Sequence, residues 1–221
     1  MNSNTTAART SGESILSASA LHQAADVQGD LQVIEAQSVP PQPWRNGGGQ
    51  TRELLTWPVG SDWRLRISRA DIETDGPFSA FAGVERWCAV LQGAGVVLTF
   101  EDAEHTLHPG AAPLSFAGAA APGCRLLDGP TQDLNLMLRR GTGVMRQTQT
   151  GLGWREAWTM RGLYTTIAGC WHGGGQMREM AAHSLLWVQL ADAGSWTFIP
   201  HSPHSQGLAS AAWWLGFTPG E

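Results

Sequence analysis

Trp44-Arg45-Asn46-Gly47-Gly48-Gly49-Gln50-Thr51-Arg52-Glu53 is the stretch on which the reading of this 221-residue chain turns. Three successive glycines permit positive φ and close backbone approach, and nearly every flanking side chain forms hydrogen bonds. Two arrangements fit those residues: a surface turn leading into a strand, or a polar pocket wall on a permissive backbone. A phosphate loop is excluded. Such a loop closes its glycine run with a lysine and a hydroxyl, and this chain contains no lysine. The dinucleotide fingerprint also spaces its glycines differently.

Working outward, Pro40-Pro41-Gln42-Pro43 forces an extended approach to the glycines. Before it, Leu31, Val33 and Ala36 alternate as a first strand. After it, Thr51 to Trp57 reads as a second strand, ended by Pro58 and Gly60. Trp63, Leu65 and Ile67 then alternate with Arg64, Arg66 and Ser68, a period of two. One face of that strand is core. The other carries two guanidinium groups and a hydroxyl, which would face a ligand inside a closed barrel and water on an open sandwich.

Asp75-Gly76-Pro77 marks a turn with Phe78 and Phe81 placed to plug a core beneath it. Arg86 to Leu91 and Val96 to Phe100 are short strands joined by Gln92-Gly93-Ala94-Gly95, a hairpin signature. Further short segments, separated by Gly and Pro breaks, cover 105–107, 113–116, 124–127 and 133–138. Strands recurring every 8–12 residues or so, with turn signals between, predict an all-β sandwich or jelly roll. From about Gly143 the texture is similar. There Trp171-His172-Gly173-Gly174-Gly175-Gln176-Met177-Arg178-Glu179 echoes the first stretch, as a duplicated β unit or a chance match would.

Composition narrows the function classes. Charged residues make up 15% of the chain and the net charge is −5, so the basic footprint of a nucleic-acid binder is missing. Cys88, Cys124 and Cys170 are odd in number and far apart, with no metal-type Cys/His spacing. No apolar run approaches the roughly 20 residues that span a bilayer, and a reduced, cytoplasmic setting is expected. Residues 1–28 are poor in apolar side chains and predict a flexible extension, with a short helix near Leu16 to Ala25. A first barrel over 29–142 and a smaller second unit over 143–221 follow from the strand pattern.

The Trp44–Glu53 stretch, followed by Trp63-Arg64-Leu65-Arg66-Ile67-Ser68-Arg69-Ala70, resembles the HutD/Ves family. The same holds for Asp75-Gly76-Pro77-Phe78-Ser79-Ala80-Phe81 through Arg86, and for Leu127-Asp128-Gly129-Pro130 through Asp133-Leu134-Asn135-Leu136-Met137. These motifs stand in the family's order over roughly residues 31 to 140. The resemblance implies a cupin of RmlC-like jelly-roll type, arranged as a bicupin in one chain. It also implies a modulator of bacterial histidine utilisation, with an intermediate such as N-formylglutamate as ligand, while Ves-type members are labelled stress-induced. It brings no established reaction. Phe116-Ala117-Gly118-Ala119 departs from the Gly-Asp that many relatives carry after that phenylalanine.

The cupin metal set is absent from the corresponding stretch. Gly76 to Gly95 holds no histidine, and His201-Ser202-Pro203-His204 is the nearest cluster elsewhere. No metal, cofactor or catalytic residue is therefore expected, and no Gly-x-Ser-x-Gly elbow occurs. The expected site is an anion-recognition site centred on Arg86, with Asn46, Gln50, Thr51, Arg64 and Ser79 as neighbours and Trp44 and Trp87 as walls. A buried guanidinium needs an anionic partner or several carbonyls. A carboxylate ligand would match its fork, and an internal Arg86–Asp pair would serve as well. The expected partner is a small carboxylate metabolite, with no nucleic acid and no membrane. A homodimer remains open by analogy with cupin edge strands. Two rivals stand beside this reading: a metal-independent isomerase or hydrolase, and a structural or stress-related interaction protein.

Overall fold

The computed structural model describes residue 1 and residues 31–149, 151–189, 194–201 and 211–221. The extension expected over 1–28, with its short helix, lies outside the described residues apart from Met1. The first half runs β1 (Gln32–Glu35), β2 (Gln42–Pro43), β3 (Gly49–Trp57), β4 (Leu65–Ile72), β5 (Gly76–Pro77) and β6 (Glu85–Gln92). It continues with β7 (Val96–Thr99), β8 (Glu104–Leu107), β9 (Leu114–Ala117), β10 (Gly123–Leu126) and β11 (Thr131–Leu138). The second half holds β12 (Gly141–Gln147), β13 (Met160–Thr165), β14 (Gly169–Gly173), β15 (Gln176–Met180), β16 (Ser184–Gln189), β17 (Thr197–Pro200) and β18 (Ala212–Pro219).

These strands form four sheets, in the orders β2-β3-β4-β11-β6-β9, β5-β10-β7-β8, β1-β16-β13-β18-β12 and β15-β14-β17. Three apolar clusters fill the spaces between them. Ile72, Phe78, Cys88, Val90, Val96, Leu98 and Cys124 pack between the first two sheets. Trp154, Leu163, Trp171, Leu186, Trp196 and Trp214 pack between the last two. Leu65, Ile67, Leu134, Leu136 and Leu138 meet Met160, Leu185, Trp213, Leu215 and Phe217 in a third cluster, which joins the two large sheets back to back. The chain is thus an all-β bicupin: two jelly-roll barrels whose large sheets share one seam.

Alternation along β4 and β11 makes this layering. On β4, Leu65 and Ile67 face the seam, while Arg66, Ser68 and Ala70 face the first barrel's interior. On β11, Leu134, Leu136 and Leu138 face the seam, while Asp133, Asn135 and Met137 face the interior. Both faces of these central strands are buried, so the polar residues among them lie indoors rather than in water.

Three details differ from the sequence expectations. β1 does not join the first barrel but pairs antiparallel with β16 of the second, from Gln32↔Trp187 to Glu35↔Ser184, and leaves Val33 exposed. The Gln92–Gly95 segment is not a hairpin. β6 and β7 lie in different sheets, and Gly93 and Gly95, at φ 96° and 111°, turn the chain from one to the other. The echo between the two Gly-Gly-Gly-Gln stretches does not mark equivalent positions. The first enters a seam-facing sheet on β3, whereas Gly174 and Gly175 form the turn between β14 and β15 in an outer sheet.

Candidate functional site

The three glycines of the opening stretch have separate jobs. Gly47 adopts φ 71° and donates its N–H to Trp44 O at 3.0 Å. Gly48 O accepts the N–H groups of Glu73 and Thr74 at 2.9 and 3.2 Å, which ties the loop to the end of β4. Gly49 lies so close to Asp71 O that a Cβ there would clash. Asn46 Oδ1 accepts Gly48 N–H at 3.1 Å, and the Trp44 indole donates to Thr51 Oγ1 at 2.8 Å. The loop is thereby pinned over the mouth of the first barrel.

Beneath it lies a cavity of about 560 Å³, lined by Trp44, Arg45, Asn46, Thr51, Arg66, Ser68, Phe78, Ser79, Phe81, Arg86, Asp133, Asn135 and Met137, among others. Phe78 and Phe81 form one wall, held by Phe78 N–H to Pro122 O and Phe81 N–H to Gly118 O, both at 2.9 Å. Near the opposite side, Arg66 Nε sits 3.0 Å from Glu53 Oε2.

Arg86 dominates the cavity floor. It is 8% exposed, and its Nε and Nη2 both donate to Asn135 Oδ1, at 2.8 and 2.6 Å. The Phe78 ring covers the guanidinium face at 4.1 Å from Cζ to centroid, with Phe116 at 5.6 Å. Among the described residues Nη1 has no hydrogen-bond partner, and the Arg86 side chain lines the cavity. Burial lowers the Arg86 pKa from its ordinary value, and the nearby Cys88 and Asp133 oppose that shift.

Asn135 connects this cation to a buried acid. Its Nδ2 donates to Asp133 Oδ1 at 2.7 Å, and Cys88 Sγ lies 3.5 Å from Asp133 Oδ2. Burial pushes the Asp133 carboxyl up to about 6, against the opposing pull of Arg86 and of hydrogen bonds from Cys88, Asn135 and the Ala70 backbone. Burial likewise raises the Cys88 thiol, and the adjacent Asp133 adds to the shift. Cys88 therefore packs as a protonated donor rather than a nucleophile. No ion pair joins Arg86 to an acid among the described residues; a neutral amide stands between Arg86 and Asp133.

Of the residues expected at the site, Arg86, Asn46, Thr51 and Ser79 meet at this cavity, as does Trp44. Gln50 and Arg64 do not. Gln50 alternates onto the seam face of β3, where its Nε2 donates to Asp71 Oδ2 at 3.0 Å. Arg64 lies beyond the first residue of β4 and donates from Nη1 to Gly220 O at 3.0 Å. Trp87 packs against the seam rather than walling the cavity. Asp133 and Asn135 escaped sequence reasoning as site residues. Their signal was available: two polar side chains alternating with Leu134, Leu136 and Leu138 on a strand with no exposed face.

No cluster of three or more His, Cys, Asp or Glu side chains suited to a metal ion occurs among the described residues. No helix among them is long and apolar enough to cross a membrane.

Comparison with known proteins bears on the same residues. The family model described as HutD matches residues 36–198, most of the chain and all of the cavity lining. The chain belongs to the HutD family. Protein Ves of Citrobacter koseri is 33% identical over 198 residues, covering 86% of this HutD-family chain and 98% of its own. An uncharacterized 21.2 kDa protein in the hutC 3' region of Pseudomonas putida is 42% identical over 112 residues, covering 48% of this chain and 57% of its own. Among solved structures, HutD from Pseudomonas fluorescens SBW25, in a formate condition, superposes with a TM-score of 0.71 at 26% identity, covering 86% of this chain and 98% of its own. The Escherichia coli pirin YhhW, at 11% identity and a TM-score of 0.55, covers 87% and 100% and shares the fold.

Proposed function

We propose that this HutD-family chain binds a small carboxylate of the N-formylglutamate type in its first barrel, without a metal, and thereby modulates histidine utilisation. The observation that carries the reading is the half-engaged Arg86 guanidinium. Asn135 takes one edge and Phe78 takes the face, leaving Nη1 without a partner among the described residues on a side chain that lines the cavity. A carboxylate reaching that edge would gain a charge-assisted hydrogen bond to a desolvated cation, about twice as strong as a neutral one. Asn46, Thr51 and Ser79 offer further polar contacts at the rim.

Two comparisons support the choice of ligand class. The Pseudomonas putida relative comes from a hutC region, and the Pseudomonas fluorescens HutD structure was obtained in a formate condition. The reading sets the protein in the cytoplasm, in keeping with three free cysteines. The test is a calorimetric titration of metal-free protein with N-formyl-L-glutamate, urocanate, glutamate and formate. Saturable binding selective for N-formyl-L-glutamate supports the reading. Flat titrations across the set remove the proposed ligand.

One observation favours a second reading. A buried carboxyl that holds its proton up to about pH 6, inside a cavity, is the kind of group that serves acid–base chemistry. Under that reading the protein is a metal-independent isomerase or hydrolase. Product formation from the same panel, abolished in Asp133→Asn, would favour it over pure binding.

A further inference from the structure

The reverse face of the same sheet carries a second polar cluster that the cavity does not use. Arg52 on β3 and Arg69 on β4 stand directly opposite each other in the ladder, where like charges are destabilising. Both point into the seam, and the Arg69 side chain is only 7% exposed. The acid that serves them is Asp71, at 3.5 Å from Arg52 Nη1 to Oδ2 and 3.5 Å from Arg69 Nη2 to Oδ1. That carboxylate is already engaged more closely by two amides, Gln132 Nε2 at 2.8 Å and Gln50 Nε2 at 3.0 Å. Two cations thus share one acid whose closer contacts go to neutral donors.

The second-barrel groups that face them, Tyr164 and His183, add no negative charge. Tyr164 abuts Arg69, and its phenol is pushed up to about 12 by burial, so it stays neutral. His183 also faces Arg69 and Asp71, and burial together with Arg69 lowers its pKa. Arg52 Nε and His183 Nδ1 are buried without a hydrogen-bond partner among the described residues, while Arg69 reaches the Tyr164 hydroxyl. Buried polar atoms are normally satisfied, and here unpartnered nitrogens from both barrels converge on a net positive charge. Arg52 and Asp71 remain partly exposed, at 17% and 18%, which opens the cluster to solvent.

We propose that Arg52 and Arg69 form a second anion site, between the two barrels, that takes a small oxyanion such as inorganic phosphate or a carboxylate. The ion would offset the cross-strand repulsion from the partly exposed Arg52 side of the cluster, at the polar end of the seam. This site is independent of the cavity, which lies on the opposite face of the sheet.

The experiment is thermal unfolding of the full chain against inorganic phosphate, with acetate as the carboxylate arm, at constant ionic strength balanced with chloride. Binding to the folded state raises Tm saturably. The expected result is a saturable rise with at least one of the two anions, retained in Arg86→Ala. In Arg69→Gln the apparent Kd should rise about 10- to 100-fold, the loss of one or two charge-assisted bonds. Arg52→Gln, at the more exposed position, repeats the test if Arg69→Gln fails to fold. The proposal is overturned if neither anion shifts Tm beyond the chloride control. It is equally overturned if the shift survives undiminished in folded Arg52→Gln and Arg69→Gln, whether or not Arg86→Ala abolishes it.

Discussion

Arg86 and Asn135 meet through a single oxygen: Nε and Nη2 of the arginine both donate to Asn135 Oδ1, at 2.8 and 2.6 Å. That arrangement fixes the amide, because the other end of Asn135 must then present its Nδ2 to Asp133. Cation, amide and acid form one directional chain along the inner faces of β6 and β11, and the consequences can be measured.

Asn135→Leu should destabilise the protein by about 2–3 kcal/mol. It leaves a desolvated guanidinium without its acceptor and a buried carboxyl without its donor. Urea denaturation should show a lower midpoint with an unchanged m-value, and carboxylate binding should weaken in parallel.

Asp133 should make stability depend on pH in an unusual direction for an acid. Its folded pKa, about 6, lies above the ordinary value of 3.8, so the folded state holds the proton more tightly. The contribution of this group is fully present below about pH 4 and is lost as pH rises through 6. Comparing chemical denaturation of wild type and Asp133→Asn between pH 4 and 7 isolates it: the variant should lack that decline.

The same carboxyl should couple ligand binding to protons. A carboxylate arriving at Arg86 adds negative charge near Asp133 and favours its protonated form. Titrations at pH 6 in buffers of different ionisation enthalpy should show net proton uptake, and affinity should fall as pH rises from 6 to 8. A heat of binding independent of buffer would contradict this coupling.

Gly49→Ala should cost about 1–3 kcal/mol, because a Cβ at that position meets the Asp71 backbone and strands β3 and β4 must separate to admit it. Thermal unfolding would register the loss. The alanine variant at Gly60, which has open space around it, is a useful comparison for φ strain without a clash.

The sequence made the architecture legible and the site only in part. Period-two alternation placed Arg66 and Ser68 on a face opposite Leu65 and Ile67, and that face is the cavity wall. Gln50 went astray because the motif drew it in with Thr51, although neighbours on a strand point to opposite sides. Arg64 obeys the same alternation as Arg66 but falls outside the strand, where Gly220 O captures it. The link from Arg86 to Asn135 spans 49 positions. It depends on β6 and β11 being neighbours in the sheet, an order that local patterns do not specify. The β6–β7 corner shows the same limit: Gln92-Gly93-Ala94-Gly95 has hairpin chemistry, and only packing decides that the strands enter separate sheets.

The most direct measurement is a calorimetric titration of N-formyl-L-glutamate into wild type, Arg86→Ala and Arg64→Ala, with circular dichroism confirming that each is folded. The account predicts saturable binding to wild type, unchanged binding to Arg64→Ala, and loss of binding in Arg86→Ala. Undiminished affinity in a folded Arg86→Ala would contradict it.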